Sequence, residues 1–536
     1  MKRIALLIFN FSFLIATQSV AQVSVTGSVQ SDMLLPNKDV ETGFVKGSPT
    51  GYEDNFMTNT YADVTLQSKY VDAGVRFEFT QFPLPGYNDM ANDFKGWGVP
   101  HFYLKGLLGR NADNSTLAEL TVGTFYEQFG SGFILRTYEE RSLGIDNSLL
   151  GGRVVYTPYK GIRLKALAGV QRTYWKLEKN AITGADVELD IDEWSKSMQE
   201  RGLRFGLGAS WVNKHEDADQ IVMADATHRY NFPAFVNAFD ARVRLQQGGF
   251  SLLGEYAHKT QDPSAENGYN YKAGNVGMLS ASYSKRGMSF LAQAKRSKLM
   301  SFRSQRNVPA ICRAAYINHL PAFTMDHTYA LAALYPYATQ PNGEWAYQAS
   351  AAYTFKKKTA LGGKYGMTAK LNFSHVREGS TTFYQDINLQ LERKLTKKFK
   401  LNFMYMNQRY NKTVIEGEGG MVNSNIFVVE GKHQFNRKHT LRFEGQFLHT
   451  PDDEKDWLYA LVEYSFMPHW MITVADMYNV GVTNRHYYQG LVTYNIKSHR
   501  IQLGYVRNRA GYNCSGGVCR RVPASKGVTL SYNYNF

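Results

Sequence analysis

One stretch of the chain concentrates side chains suited to binding anions. Residues 267–325 contain no Asp or Glu, although the chain of 536 residues carries 46 acidic and 61 basic residues overall. Arg offers a planar fork of donors that matches carboxylate and phosphate groups, and Lys a compact positive charge. The stretch therefore predicts a site for anionic groups. Its candidate residues are Lys295, Arg296, Lys298, Arg303, Arg306 and Arg313.

The cysteines suggest a second feature. Cys514 and Cys519 enclose Ser-Gly-Gly-Val, a sequence flexible enough to close a small ring. A disulfide between them is the favoured interpretation in an oxidising compartment. A metal-binding pair is the alternative, which the lack of neighbouring His disfavours. Cys312 is then left over as an unpaired residue.

Closely spaced carboxylates suggest a third feature, within a predicted loop at 173–200. Such carboxylates could bind Ca²⁺, but the spacing lacks the glycine of an EF-hand loop, so a solvated acidic loop is the better interpretation. We predict no metal and no cofactor. The carboxylates concerned are Asp186, Glu188, Asp190, Asp192 and Glu193.

Motifs for catalysis and for nucleic-acid binding are not found in the sequence. None of the 13 His residues stands beside a Ser at a distinctive spacing, and phosphate-loop, dinucleotide and zinc-protease motifs are missing. We therefore predict that the protein is not an enzyme. A pI of 9.3 alone is weak evidence for nucleic acid, so no nucleic-acid partner is predicted.

The elements that must position these residues are strands. Apolar and polar side chains alternate with a period of two at 162–170, 203–211 and 458–466. The 35 Tyr and 32 Phe against 15 Pro are typical of long strands with aromatic belts. Past the first 21 residues no apolar run approaches ~18 residues, which excludes a bundle of membrane-spanning helices.

Short turns alternate with longer loops, as in a membrane-spanning barrel. We predict an all-β fold, one large antiparallel transmembrane β-barrel of about 24 strands, with 22 or 26 as alternatives. The predicted turns lie at 159–161, 246–249, 285–287, 395–398, 436–439, 467–469 and 497–499. The predicted loops lie at 36–56, 83–98, 128–150, 173–200, 260–272, 299–342, 411–422 and 508–524.

Both ends of the chain carry signals. Lys2 and Arg3, an apolar run and Ser19-Val20-Ala21 predict a signal peptide at 1–21, leaving 22–536 as the barrel. The last strand alternates strictly and ends in Phe536. This combination resembles the bacterial outer-membrane β-barrel proteins, and most of all an uncharacterised, porin-like family of them. The resemblance implies a Gram-negative outer membrane, contact with lipid and lipopolysaccharide, and recognition of the last strand by the barrel-assembly machinery. Because the first strand starts right after the cleavage point, no separate plug domain is expected.

Two loops are candidates for folding into the barrel. The second half of loop 299–342 is apolar and aromatic, and apolar loops seek burial. We expect this loop to fold inward and to place Arg and Lys in the pore, where such cations select anions. The alternative is an outward loop whose cations contact lipopolysaccharide phosphates or a partner protein. Residues 129–147 are the second inward candidate, with a strand containing a Gly bulge as the alternative.

These features favour a porin-like channel for passive passage of small, anionic solutes. The alternative is a non-conducting structural or docking subunit of a larger outer-membrane assembly, for secretion, surface attachment or nutrient uptake. Other outer-membrane or periplasmic proteins are possible partners in that case.

Overall fold

The computed structural model describes residues 23–87, 95–111, 115–173, 175–217, 221, 223, 227–308 and 315–536. The predicted signal peptide, Cys312 and Arg313 lie outside these residues. Within the described residues, no helix is long and apolar enough to cross a membrane.

The described strands follow one another along the chain, with little helix between them. In chain order they are β1 (Ser24–Pro36), β2 (Met57–Gln67), β3 (Val71–Thr80), β4 (Gly96–Arg110), β5 (Thr116–Phe125), β6 (Glu139–Glu140), β7 (Ile145–Asp146), β8 (Leu149–Tyr159), β9 (Ile162–Thr173), β10 (Lys176–Asp190), β11 (Leu203–His215), β12 (Phe235–Gln247), β13 (Phe250–Lys259), β14 (Gly274–Lys285), β15 (Met288–Lys298), β16 (Gly343–Phe355), β17 (Met367–Glu378), β18 (Thr381–Lys394), β19 (Phe399–Asn411), β20 (Met421–Gln434), β21 (His439–His449), β22 (Asp456–Phe466), β23 (Trp470–Val480), β24 (His486–Ile496), β25 (His499–Asn508), β26 (Gly511–Ser515), β27 (Val518–Val522) and β28 (Ser525–Asn535). Short helices lie at Ile191–Trp194, Lys196–Glu200, Ala265–Asn267 and Lys412–Ile415.

The sheet closes on itself as a 24-stranded antiparallel barrel, which confirms the predicted fold class and strand number. Its seam is the pairing of β1 with β28, where Gln30 lies opposite Asn533. The backbone groups of Phe536 and Gly27 exchange hydrogen bonds at the end of this seam. The four short strands β6, β7, β26 and β27 form two separate hairpins outside the barrel sheet.

The two ends of the barrel differ. The end that holds both termini carries the short connections, and all the predicted turns lie there between consecutive strands. The opposite end carries the long loops. The prediction of one further loop there, at 173–200, is wrong. β10 occupies Lys176–Asp190, and its first residue pairs with Thr173 at the end of β9. This strand was missed because its inward face is strongly acidic and therefore reads as a solvated loop.

Side chains on each strand alternate between two environments. On β22, Leu458, Val462 and Phe466 are exposed, whereas Trp457 and Leu461 are buried. Exposed apolar side chains on one strand lie opposite others on its neighbour, as Phe447 does opposite Leu458. The outer surface is therefore an apolar belt, and the alternate residues point into the lumen.

Candidate functional site

Loops from the long-loop end pack together and against inward-facing strand residues. We call loops 126–148, 299–342 and 509–524 together the plug. Backbone hydrogen bonds join the loops of the plug to one another. Arg136 N–H donates to Ile317 O at 2.8 Å, and Thr339 N–H donates to Gly517 O at 2.9 Å. Its apolar side chains are buried in two clusters, one containing Phe302 and the other containing Leu331.

The first half of loop 299–342 is held by ion pairs. Arg303 Nε lies 2.9 Å from Glu266 Oε2, and Arg306 Nε lies 3.2 Å from Glu216 Oε2. Both guanidinium side chains are only 2% exposed. The expectation that these two residues offer free positive charge to a pore is therefore corrected, since carboxylates on neighbouring loops neutralise them.

Lys295 points inward, as the alternation of β15 requires. Its Nζ lies 2.9 Å from Glu344 Oε1 on β16, and both side chains are fully buried. The Lys295 ammonium also donates to the carbonyl of Pro321 in the plug. Lys295 thus binds the plug to the wall, and its charge is paired like those of Arg303 and Arg306.

Arg296 and Lys298 lie on the other face of β15. The expectation that they line the pore is therefore corrected. Arg296 lies opposite Trp345 on β16, outside the barrel, and forms an ion pair with Glu378. Lys298 is exposed at the same rim. The physical reason is the period of two along a strand, because residues 296 and 298 necessarily face away from residue 295.

Two buried lysines that lie beside the plug, Lys214 and Lys259, were missed by sequence reasoning. Lys214 Nζ lies 2.8 Å from Asp262 Oδ1 and 3.1 Å from Glu216 Oε2. Lys259 Nζ lies 2.9 Å from Asp262 Oδ2, and both lysines approach the ring of Phe302 within 6 Å. The only sequence signal was the position of Lys214 and Lys259 on the polar faces of two strands.

Burial and charge shift the pKa values of the carboxyls that lie beside the plug. Burial alone would raise the pKa of Glu266, but the Arg303 guanidinium outweighs it and holds that pKa below its usual value. Burial likewise opposes ionisation of Asp262, and the two lysines Lys214 and Lys259 lower its pKa nevertheless. Both carboxylates therefore stay charged at neutral pH and keep the ion pairs intact.

His319 is uncharged in the plug, whereas Glu266 and Asp262 are charged. It is buried in the plug beside a cavity of about 50 Å³. Burial lowers the pKa of His319 to about 3, and the positive charges of Arg136 and Lys295 act in the same direction. The imidazole is therefore neutral at physiological pH.

The second half of loop 299–342 is held by aromatic side chains. Tyr329 donates to Glu430 Oε2 at 2.9 Å and Tyr335 to Asp453 Oδ2 at 2.9 Å. Tyr337 donates to Glu344 on β16. The rings pack with Leu331, Leu334 and inward-facing residues of β16–β22 in one buried cluster.

Loop 126–148 contacts the remaining sectors of the wall. Ser131 N–H and Oγ both donate to Glu255 on β13. On the other side, Arg141 donates to Gln30 on β1 and to Asp63 on β2 at 3.0 Å each. The plug therefore contacts strands on both sides of the lumen. The Gly-bulged strand that was the alternative for 129–147 is not formed, since these residues hold only the short hairpin β6–β7.

The hairpin β26–β27 contacts the other two plug loops. A disulfide joins Cys514 and Cys519 across it. Gly516 and Gly517 at its tip accept bonds from Ala322 and Thr339 of loop 299–342. Arg520 donates to the carbonyl of Leu143 in loop 126–148.

The carboxylates predicted for a solvated acidic loop have two fates. Asp186 and Glu188 lie on the inward face of β10, where both pair with Arg242 of β12. Asp190 ends β10, and Asp192 and Glu193 lie in the short helix after it. The solvated-loop interpretation is wrong for Asp186, because that side chain is buried in an ion pair. Among the residues the structure describes, no group of three or more His, Cys, Asp or Glu is placed to hold a metal ion.

The closed sheet defines the class of the protein. Only a closed barrel satisfies every strand hydrogen bond in a bilayer, and this one has an apolar outer belt, short turns at one end and long loops at the other. The protein is therefore a transmembrane β-barrel of the bacterial outer membrane, surrounded by its lipid. Within that class the chain belongs to DUF6029, a family of unknown function, which it matches over residues 1–536.

Solved structures with similar barrels are distant in sequence. The P pilus usher PapC translocation pore has a TM-score of 0.43 and 11% identity, covering 96% of this chain and 99% of that chain. The siderophore receptor PirA from Pseudomonas aeruginosa has a TM-score of 0.42 and 8% identity, covering 97% and 82%. OccAB3 from Acinetobacter baumannii has a TM-score of 0.32 and 9% identity, covering 96% and 100%. No curated protein matches the sequence.

Proposed function

We propose that the protein is a porin-like channel whose plug closes the barrel at rest. The observation that supports this is the set of plug contacts on inward-facing residues of β1, β2, β13 and β16–β22. Passage of a small solute then requires loop 299–342 to move away from the wall. The protein performs no reaction chemistry in this proposal.

The preference for anions rests on what such a movement exposes. Lys214, Lys259 and Lys295 project inward from β11, β13 and β15, and all three contact the plug through Phe302 or Phe323. When the plug moves, these ammonium groups face the water of the lumen beside their carboxylate partners Glu216, Asp262 and Glu344. Cations on the wall of a pore favour anionic solutes, so we propose small anions as the transported class.

A second candidate function is a non-conducting docking subunit. The burial of paired charges such as Lys295 and Arg306 favours it, because removing their partners would leave costly unpaired charges. A plug that never moves would leave the long loops as a rigid surface for another outer-membrane protein, and the turn end of the barrel would be the surface for a periplasmic one. In either function, the strand that ends at Phe536 is the segment we propose for recognition by the barrel-assembly machinery.

Conductance in planar bilayers tests the channel and separates it from the docking subunit. We expect rare openings of the wild-type protein and frequent ohmic steps of the variant Glu216→Gln/Glu266→Gln, because that variant loses carboxylate partners of Arg303 and Arg306. Under a salt gradient, the reversal potential of the wild-type openings should indicate anions, because the variant itself removes two carboxylates and would favour anions for that reason alone. Adding Lys214→Gln and Lys259→Gln should shift that potential towards zero.

The control is Glu463→Gln, an inward-facing carboxyl on β22 near the turn end of the barrel. It should conduct as the wild-type protein does. If the plug variant folds and inserts but never conducts, the channel proposal fails and the docking subunit is favoured.

A further inference from the structure

The outer face of β14–β17 carries a groove that interrupts the apolar belt. The groove has a volume of about 430 Å³. Its floor consists of alanines that lie opposite one another on adjacent strands: Ala281 opposite Ala292, and Ala292 opposite Ala349. Aromatic and leucine side chains form its two walls, namely Phe250, Tyr283, Phe290, Leu371 and Phe373.

A row of cations lies above this groove, towards the long-loop end. Arg296 on β15 lies opposite Trp345 on β16, and Trp345 lies opposite Arg377 on β17. Arg296 follows Ala292 by four residues on the same face, a rise of about 13 Å. Lys298 is exposed two residues further along the same face of β15.

The side chains of this row already have defined contacts. Arg296 Nη2 donates to Glu378 Oε1 at 2.8 Å, and its guanidinium lies 5.5 Å from the Trp345 ring centroid. Arg377 Nη1 donates to the carbonyl of Gly379 at 2.9 Å. Together Arg296, Lys298 and Arg377 present three positive charges against the single carboxylate of Glu378.

Trp345 lies at the centre of this row and is 38% exposed. Tryptophan is enriched where membrane hydrocarbon meets the polar head groups, so Trp345 marks that level on this face. The cations then lie at the height of the head groups, and the alanine groove lies among the acyl chains. The long loops face the outside of the cell, so the leaflet concerned is the outer one.

We propose that this face binds one lipopolysaccharide molecule, with its phosphates on Arg296, Lys298 and Arg377 and an acyl chain in the alanine groove. The cations complement the anionic head group, because Glu378, which accepts from both Nη groups of Arg296, neutralises only one of the three positive charges. A second copy of this chain is the less suitable occupant. A two-fold interface on this face would bring two such cationic rows together.

The test is binding of fluorescent lipid A to the purified, folded full-length protein in detergent. Each cation near an anionic lipid contributes about fivefold to binding. The variant Arg296→Gln/Lys298→Gln/Arg377→Gln should therefore bind roughly a hundredfold more weakly. Lipid A stripped of its phosphates should bind the wild-type protein as weakly as lipid A binds the variant.

A second variant tests the groove without changing any charge. Ala292→Leu/Ala349→Leu fills the floor, and binding of lipid A should fall several-fold. The control Ala460→Leu changes an exposed alanine on β22, away from the groove, and should bind as the wild-type protein does. Equal binding of lipid A by the triple variant and the wild-type protein would overturn the proposal. So would equal binding with and without phosphates, or an unchanged affinity when the groove is filled.

Discussion

The two halves of loop 299–342 are held in the barrel by different forces. The first half, residues 299–308 and 315–319, is held by ion pairs such as Arg303 with Glu266. The second half, residues 320–341, is held by packed aromatic rings whose hydroxyl groups donate to carboxylates. Both halves bury apolar side chains, such as Phe302 in the first half, but the first half adds the buried ion pairs of Arg303 and Arg306.

This difference matters for how the plug could be released. Neutralising one partner of a buried ion pair is strongly destabilising, because the remaining charge stays buried with neither a counter-charge nor water around it. A packed aromatic cluster loses only a part of its stabilisation when one polar atom is removed. The first half should therefore respond more strongly to mutation of charge than the second half does.

The largest effect is expected from neutralising Glu266. Glu266→Gln leaves the Arg303 guanidinium buried without its carboxylate, at a cost of about 3–5 kcal/mol to the closed plug. The probability of opening in single-channel recordings should rise by more than a hundredfold. Far-UV circular dichroism should show that the barrel remains folded.

A double variant serves as the matched control for the Glu266 variant. Glu266→Leu/Arg303→Leu removes both charges, so no unpaired charge remains and the loss should be much smaller. If the double variant opens as often as Glu266→Gln, the ion pair is not what holds the first half.

The sequence predicts which side of the barrel a side chain faces better than it predicts which residue that side chain pairs with. The alternation along β15 correctly placed Lys295 inside. The same period places Arg296 outside, whereas the prediction from composition treats all cations of residues 267–325 as one site. Composition averages over both faces of a strand, whereas the structure separates them.

The ion pairs of the plug could not be predicted because they join distant parts of the chain. Arg306 bonds to Glu216, which lies 90 residues earlier, and Arg303 to Glu266, 37 residues earlier. Their proximity depends on the closure of the barrel and on the path of three loops. Asp186 likewise has a partner that is distant in the sequence, Arg242 on β12, so the sequence alone predicts a solvated loop there.

Acidification should loosen the first half by a smaller amount. The pKa of His319 is lowered to about 3 in the closed plug from an ordinary 6.5, so the open form binds the proton more tightly. The stabilisation is complete above pH 6.5 and is lost as the pH falls towards 3. Between pH 7 and pH 5 the loss is about 2 kcal/mol. The lowered pKa values of Glu266 and Asp262 add a further loss, but only below their ordinary values of 4.5 and 3.8.

Recordings of opening probability between pH 7 and pH 5 measure this effect. The wild-type protein should open more often at pH 5, and His319→Gln should remove most of the dependence in this range. A dependence of the same size in His319→Gln would assign the pH response to another group.

The smallest effect is expected in the second half, from Tyr335→Phe. The change removes one hydroxyl bond to Asp453, which keeps its ion pair with Lys412 at 2.8 Å. The ring stays packed against Tyr410, 5.4 Å away between centroids, so the closed plug should lose only about 1 kcal/mol. Opening probability should rise about fivefold and should keep the pH dependence of the wild-type protein. An effect as large as that of Glu266→Gln would mean that a polar bond, and not buried area, holds the aromatic half, and the contrast between the two halves would then be wrong.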